Sequence, residues 1–202
     1  MTVVKICGLM SVQDIRAVNE TEADFAGMIL SEGFRRSVSM PEARLMKGEL
    51  SPRIKMCGVF VNAPIEYIRK FIEEGVIDIV QLHGNEDEAF IGGLKQEYPD
   101  IPVIRAFTVK NAEDVRRAES SAADMIILDA GKGTGKAFDW DLLEDMHREY
   151  ILAGGLTPDN VAEAVRTLQP YGADTSSGVE TDGRKDREKI HAFVKNAKGG
   201  HR

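Results

Sequence analysis

Two cysteines are all this chain contains, too few for the disulfide framework of a small secreted fold, so the expected setting is a reducing cytoplasm. Long apolar runs are missing as well. None approaches the ~20 residues that cross a bilayer, and no basic segment leads into an apolar stretch at the N-terminus as in a signal peptide. A membrane partner is therefore not expected. Long basic clusters are absent too, and a formal charge of −7 argues against nucleic acid as the main partner. No set of histidines, cysteines and carboxylates has metal-ligand spacing, so no metal site is expected. An anionic ligand would have to be held by local features, such as an arginine or helix N-termini.

What is present is ordinary for a soluble globular protein: 43% hydrophobic and 29% charged over 202 residues. That is enough for one substantial core and short for two. No linker or composition break divides the chain, so residues 1–197 read as one domain and Lys198–Arg202 as a frayed tail. Monomer and homodimer are not distinguished by sequence.

Short Val/Ile/Leu-rich runs alternate with stretches of helical period eight times. Strands are expected over Val3–Cys7, Phe25–Leu30, Lys55–Val61, Ile77–His83, Val103–Thr108, Met125–Asp129, Ile151–Ala153 and Ala173–Ser176, with the composition of strands buried on both faces. Helix starts are signalled by Ser11, by Asn62-Ala63-Pro64 with the proline in the first turn, and by Asn111, Thr157-Pro158 and Asp186. Strand-then-helix repetition implies parallel strands joined by crossovers. Eight such units predict an α/β fold, a single (β/α)₈ TIM barrel, compact beside the usual ~250 residues. An open doubly wound sheet is the alternative, and it commonly has fewer strands.

Barrels of this type place their site at the C-terminal ends of the strands. Cys7 stands at such a tip, followed at once by Gly8, whereas Cys57 lies inside an apolar run like a packed core thiol. Side-chain alternation turns Val3, Lys5 and Cys7 inward on strand one, and Met125, Ile127 and Asp129 inward on strand six. Cys7 and Asp129 could then face each other across the mouth as base and acid, although Asp129 also suits an Asx turn before Gly131. Lys5 fits a Schiff base, a positive charge beside the thiol, or an interior cation paired with an acid; a supporting role is favoured. Gly154 and Gly155 after strand seven, and Ser176, Ser177 and Gly178 after strand eight, are small enough for backbone N–H groups to approach a phosphate closely, or they simply make tight turns; their pairing in adjacent loops favours phosphate. Arg35 or Arg36 could clamp a carboxylate or be a solvated loop charge. His83, on the same inward face as Gln81, is equally a structural histidine or a ligand contact. The stretch Gly131–Lys136 fails as a P-loop, because Ala130 and Ala137 stand where its first glycine and its Ser/Thr belong, which argues against an NTPase.

In this order, several stretches resemble the phosphoribosylanthranilate isomerase family: Lys5-Ile6-Cys7-Gly8-Leu9, Gly58-Val59-Phe60-Val61-Asn62, Val80-Gln81-Leu82-His83-Gly84, Leu128-Asp129, Gly133-x-Gly-x-x-Phe-Asp-Trp140, Leu152-Ala153-Gly154-Gly155-Leu156 and Asp174-x-Ser-Ser-Gly-Val-Glu180. The resemblance covers essentially the whole chain. It implies a (β/α)₈ barrel that performs an Amadori rearrangement of a phosphosugar in tryptophan biosynthesis without a cofactor. Cys7 matches the general base and Asp129 the general acid. Arg36 matches the arginine for the anthranilate carboxylate, but Phe34-Arg35-Arg36 replaces the usual Ser-x-Arg, so Arg35 is the alternative. Gly154, Gly155, Ser176, Ser177 and Gly178 match the phosphate loops. A related sugar isomerase with paired acids would carry aspartate in place of Cys7, and a silent phosphosugar-binding barrel would need neither Cys7 nor Asp129.

Overall fold

Eight parallel strands close into a barrel, each paired with its successor and the last with the first. In the computed structural model, residues 2–129, 143 and 146–200 are described. The strands are β1 (Val3–Ile6), β2 (Phe25–Ile29), β3 (Lys55–Phe60), β4 (Ile79–Leu82), β5 (Val103–Thr108), β6 (Met125–Asp129), β7 (Ile151–Ala153) and β8 (Gly172–Thr175). Between them run α1 (Val12–Asn19), α2 (Met40–Glu49), α3 (Ile65–Glu73), α4 (Glu88–Glu97), α5 (Ala112–Glu119) and α6 (Val161–Leu168). After β8 come a short hairpin, β9 (Glu180–Thr181) and β10 (Arg184–Lys185), and the last helix α7 (Arg187–Gly199). None of the helices among the described residues is long and apolar enough to cross a membrane.

Five expected strands end one residue early, so Cys7, His83 and Ser176 each become the first loop residue past a strand tip. The caps at Ser11, Asn111 and Asp186 form as expected, each side chain accepting backbone N–H groups of its first helical turn. Two starts differ. Pro64 takes the cap position itself, and α3 begins at Ile65. The last-but-one helix begins at Val161, not at Pro158, because Asn160 Oδ1 accepts the Thr157 N–H at 2.8 Å and holds those residues as a turn. At the other end α7 runs on through Lys198 and Gly199, which the sequence assigned to the tail, and Lys198 is tied down by Asp24; residues 201 and 202 lie outside the described residues.

Alternation along the strands divides the apolar residues into two cores. Val4, Ile6, Met28, Val80, Leu82, Ile126 and Leu128 face outward into the layer shared with the helices. Cys57, Ile79, Ile104, Ala106, Ile127 and Ile151 fill the barrel. In that interior, Lys5 is completely buried, with Nζ 3.0 Å from Asp174 Oδ1. Burial drives the ammonium toward neutrality, but the charge of the Asp174 carboxylate and its hydrogen bond offset this and hold Lys5 protonated. Lys5 is thus the interior cation paired with an acid. Burial pushes the Cys57 thiol up to about 12, so it stays protonated and inert.

One device recurs three times at the opposite end, where the strands begin. Asp24, just before β2, accepts the Val4 N–H at 2.8 Å and Lys198 Nζ at 2.6 Å. Asp78, just before β4, accepts the Met56 N–H at 2.7 Å and pairs with Lys47. Asp124, just before β6, accepts the Val103 N–H at 2.8 Å and Lys95 Nζ at 2.6 Å. Each carboxylate therefore ties the start of an odd strand to the turn before the next even one, with a lysine from the helix preceding that odd strand at β3 and β5 and from the last helix at β1. Asp78→Ala removes an acceptor from a buried N–H and should cost about 1–3 kcal/mol. Thermal denaturation should show the midpoint falling by roughly 2–4 °C for each kcal/mol lost in a chain of this size, with KM unchanged because the ligand end of the barrel is untouched.

Candidate active site

The C-terminal ends of the strands surround a cavity of about 490 Å³. Cys7 enters it from β1, Arg35 and Arg36 from the loop after β2, and His83 from the tip of β4. Asp129 closes β6 on the far side, Gly154 and Gly155 follow β7, and Ser176, Ser177 and Gly178 follow β8. All the site residues expected from sequence therefore reach one cavity. Gln81 and Asp174, both inward-facing, contribute to its floor. The stretch Gly131–Lys136 and the Gly133 to Trp140 motif lie outside the described residues.

Cys7 is 8% exposed, and its N–H donates to the Thr175 carbonyl at 2.8 Å, which levels it with the loop after β8. Glycine at position 27 makes room below: a Cβ there would lie 3.0 Å from Cys7 Sγ and 3.2 Å from Lys5 Nζ. Thiol and ammonium are thus within ~6 Å, a range over which opposite charges sense each other. Gly8 has φ +71°, and a Cβ on it would fall 2.7 Å from both Arg36 Cδ and Ser176 Oγ. Only glycine lets the arginine arch over this point.

His83 is held by its neighbours. Gln81 Nε2 lies 3.3 Å from His83 Nδ1; an amide nitrogen only donates, which assigns the imidazole proton to Nε2. Burial lowers its pKa, against the opposing pull of Asp129, so the ring is neutral near pH 7. The loop that follows is fixed by buried Glu86, which accepts from Asn62 N, Gly84 N and Arg105 Nη1 at 2.7, 2.9 and 2.6 Å. Sequence reading assigned no role to Arg105 or Glu86, since their pairing joins β5 to the loop after β4.

On the opposite rim the loops after β7 and β8 are stitched together. Thr175 Oγ1 donates to the Leu156 carbonyl at 2.7 Å, and Asn160 Nδ2 donates to the Gly155 carbonyl at 3.1 Å. Gly154 and Gly155 take φ values of +93° and +67°. A Cβ on Gly178 would sit 1.9 Å from the Leu156 oxygen, so the two loops approach closely only because that residue has no side chain. Among the described residues, the N–H groups of Gly154, Gly155, Ser177 and Gly178 have no protein acceptor. Small residues and backbone donors of this kind form an anion cradle.

Arg36 and Arg35 share one acid that sequence reading left unassigned. Glu180 accepts Arg36 Nε at 2.7 Å and Nη2 at 3.0 Å, and Arg35 Nη2 at 2.9 Å. The Arg36 side chain is 16% exposed and that of Arg35 55%, so Arg36 is the one built into the cavity wall. Burial works against ionisation of Glu180, yet the hydrogen bond from Arg36, the Lys185 charge and Arg35 hold its carboxyl down at about 2.

A (β/α)₈ barrel with a cavity at the C-terminal ends of its strands, lined by a thiol, a carboxyl, a guanidinium and the glycine-rich loops after β7 and β8, has the architecture of a barrel enzyme. The comparisons with known proteins are specific. The model of the family described as N-(5'-phosphoribosyl)anthranilate (PRA) isomerase matches residues 4–196. The N-(5'-phosphoribosyl)anthranilate isomerase of Lacticaseibacillus casei strain BL23 is 44% identical over 198 residues, covering 98% of this chain and 96% of that one. The crystal structure of phosphoribosyl anthranilate isomerase from Thermotoga maritima is 37% identical with a TM-score of 0.89, covering 98% of this chain and 100% of that one. A further isomerase structure, in complex with reduced 1-(o-carboxyphenylamino)-1-deoxyribulose 5-phosphate, is 36% identical with a TM-score of 0.86, at 98% and 100% coverage. The chain belongs to the N-(5'-phosphoribosyl)anthranilate isomerase family. It is an enzyme of tryptophan biosynthesis that isomerises N-(5'-phosphoribosyl)anthranilate to the carboxyphenylamino-deoxyribulose phosphate.

The Gly178 contact provides a test of the cradle. In Gly178→Ala the Leu156 carbonyl must move, and steady-state kinetics should show KM raised by about tenfold or more, as for a lost charge-assisted contact, with a smaller change in kcat.

Proposed function

We propose that Cys7 is the general base and Asp129 the general acid of this isomerisation, with Arg36 receiving the anthranilate carboxylate and the loops at Gly154-Gly155 and Ser176–Gly178 the phosphate. The observation that carries the reading is the placement of a thiol and a carboxyl on β1 and β6, facing one cavity whose rims bear a guanidinium and an anion cradle. The substrate has two anionic ends, and the cavity offers a guanidinium for one and a set of backbone N–H donors for the other.

Asp129 delivers a proton to the furanose ring oxygen while the bond between that oxygen and C1′ breaks, leaving an iminium at C1′. Cys7 removes the proton from C2′, and its electron pair neutralises the iminium to give an enolamine. The enol proton is lost and C1′ gains one, which leaves a ketone at C2′ and a methylene at C1′. One carbon is oxidised and its neighbour reduced within the same molecule, so the electrons balance without a partner. The neutral His83 lines the same wall and contacts the sugar. The Lys5–Asp174 pair beneath Cys7 supports the thiol from below. Both cysteines are free thiols, which suits a reducing cytoplasm.

Cys7→Ala should lower kcat by roughly 10²–10⁴-fold, the usual worth of a positioned acid or base, with the affinity for reduced product retained. Asp129→Asn should behave alike. The assay is the loss of anthranilate-moiety fluorescence from freshly prepared substrate, and near-normal turnover in Cys7→Ala would rule the base out. Arg36→Ala should raise KM more than Arg36→Lys, with both measured against an unchanged phosphate-only inhibitor.

A further inference from the structure

Arg36 is gripped from behind. Its Nε and Nη2 both bond the Glu180 carboxylate, at 2.7 and 3.0 Å, a two-point contact that fixes the plane of the guanidinium. Gly8 lies against its Cδ on the other side. Nη1 takes no part in that grip and is left for a ligand. Glu180 has a side chain 6% exposed, and it is more than the partner of one arginine. Lys185 Nζ stands 3.2 Å from its Oε1, with the Lys185 side chain 1% exposed. The same ammonium donates to the Ser176 carbonyl at 2.7 Å. Lys189 Nζ donates to the Glu180 carbonyl at 2.8 Å and anchors the hairpin strand that carries the acid. The group is therefore one carboxylate among three cations, Arg35, Arg36 and Lys185, and it stays positive towards the cavity while holding each of them still. It also joins the guanidinium, through Lys185, to the loop that begins the anion cradle.

We propose that Glu180, acting with Lys185 from the hairpin of β9 and β10, is a positioning residue that sets the distance between the carboxylate and phosphate subsites and so makes the enzyme select aromatic amines bearing an ortho carboxylate. This rests on the reading that Arg36 meets the substrate carboxylate. A guanidinium held in one plane at one distance from the cradle rewards a carboxylate placed to meet it. A swinging one accepts the carboxylate elsewhere on the ring, or its absence, almost as well.

Inhibition constants for three reduced product analogues test this: the 2-carboxyphenylamino, 4-carboxyphenylamino and plain anilino deoxyribitol phosphates. The wild type should prefer the 2-carboxy compound over both others. In Glu180→Gln that preference should fall by about tenfold or more, as expected when a buried charged partner is withdrawn, while the anilino compound binds within about threefold of wild type. For the substrate the loss should appear in KM far more than in kcat, and Glu180→Asp should restore part of the preference. A merely structural role would weaken all three analogues together, and that result overturns the proposal. If Arg36→Ala abolishes the preference while Glu180→Gln keeps it, the proposal fails and the Arg36 reading stands; if Arg36→Ala keeps it, the Arg36 reading itself fails. Should Glu180→Gln not fold, Lys185→Gln, which keeps a donor for Ser176 but removes a cation from Glu180, is judged on the same ratio, and an unchanged ratio overturns the proposal.

Discussion

The ion pair between Lys5 and Asp174 lies where the first strand meets the last, and the arrangement of the site depends on it. The two residues are direct partners in the β1–β8 register. A charge inside a barrel of aliphatic side chains is tolerable only beside its counter-charge, and removing one member of such a pair typically costs about 3–5 kcal/mol. Any slip in register would separate them. With Lys5 level with Asp174, Cys7 comes level with Ser176 two residues further along both strands. The pair therefore places the thiol beside the loop after β8 as well as closing the barrel.

Above that seam, the site depends on residues that lack side chains. Gly8, Gly27 and Gly178 each sit where a methyl group would strike Arg36 and Ser176, Cys7 and Lys5, or the Leu156 carbonyl. Their absence of bulk lets the chain segments around the cavity approach one another closely. Cation and anion contacts then lock what the glycines admit. Glu86 ties the loop after β4 to Arg105, and Glu180 ties the loop after β2 to the hairpin after β8.

Much of this was legible in the sequence because it is local. Alternation placed Lys5, Cys7 and Asp129 inward, the Val/Ile/Leu runs marked the strands, and Ser11, Asn111 and Asp186 announced their helices. The capping box at Ser39 and Glu42 is also local, but the helix after it has a blurred apolar stripe that hides its start. Asp174 and Glu180 are different. Asp174 bonds a lysine 169 residues away and Glu180 an arginine 144 residues away. No spacing rule links such positions. Glu180 stood in a recognisable motif, yet its partner became visible only once β2 and β8 were brought to the same rim. Asn160 shows the converse: its side chain claimed a backbone N–H that Thr157-Pro158 had seemed to reserve for a helix.

The aspartate device at the base of the barrel has a consequence for chain topology. In two of its three occurrences it joins residues that are near neighbours in sequence, but at Asp24 it joins the first strand to the last helix through Val4 and Lys198. The seam between β1 and α7 is thus braced by the same carboxylate-and-lysine contact as β3 against α2 and β5 against α4. Three ionic struts at alternate strands carry the base of the barrel, and each holds its helix to the wall without regard to how the chain runs between them.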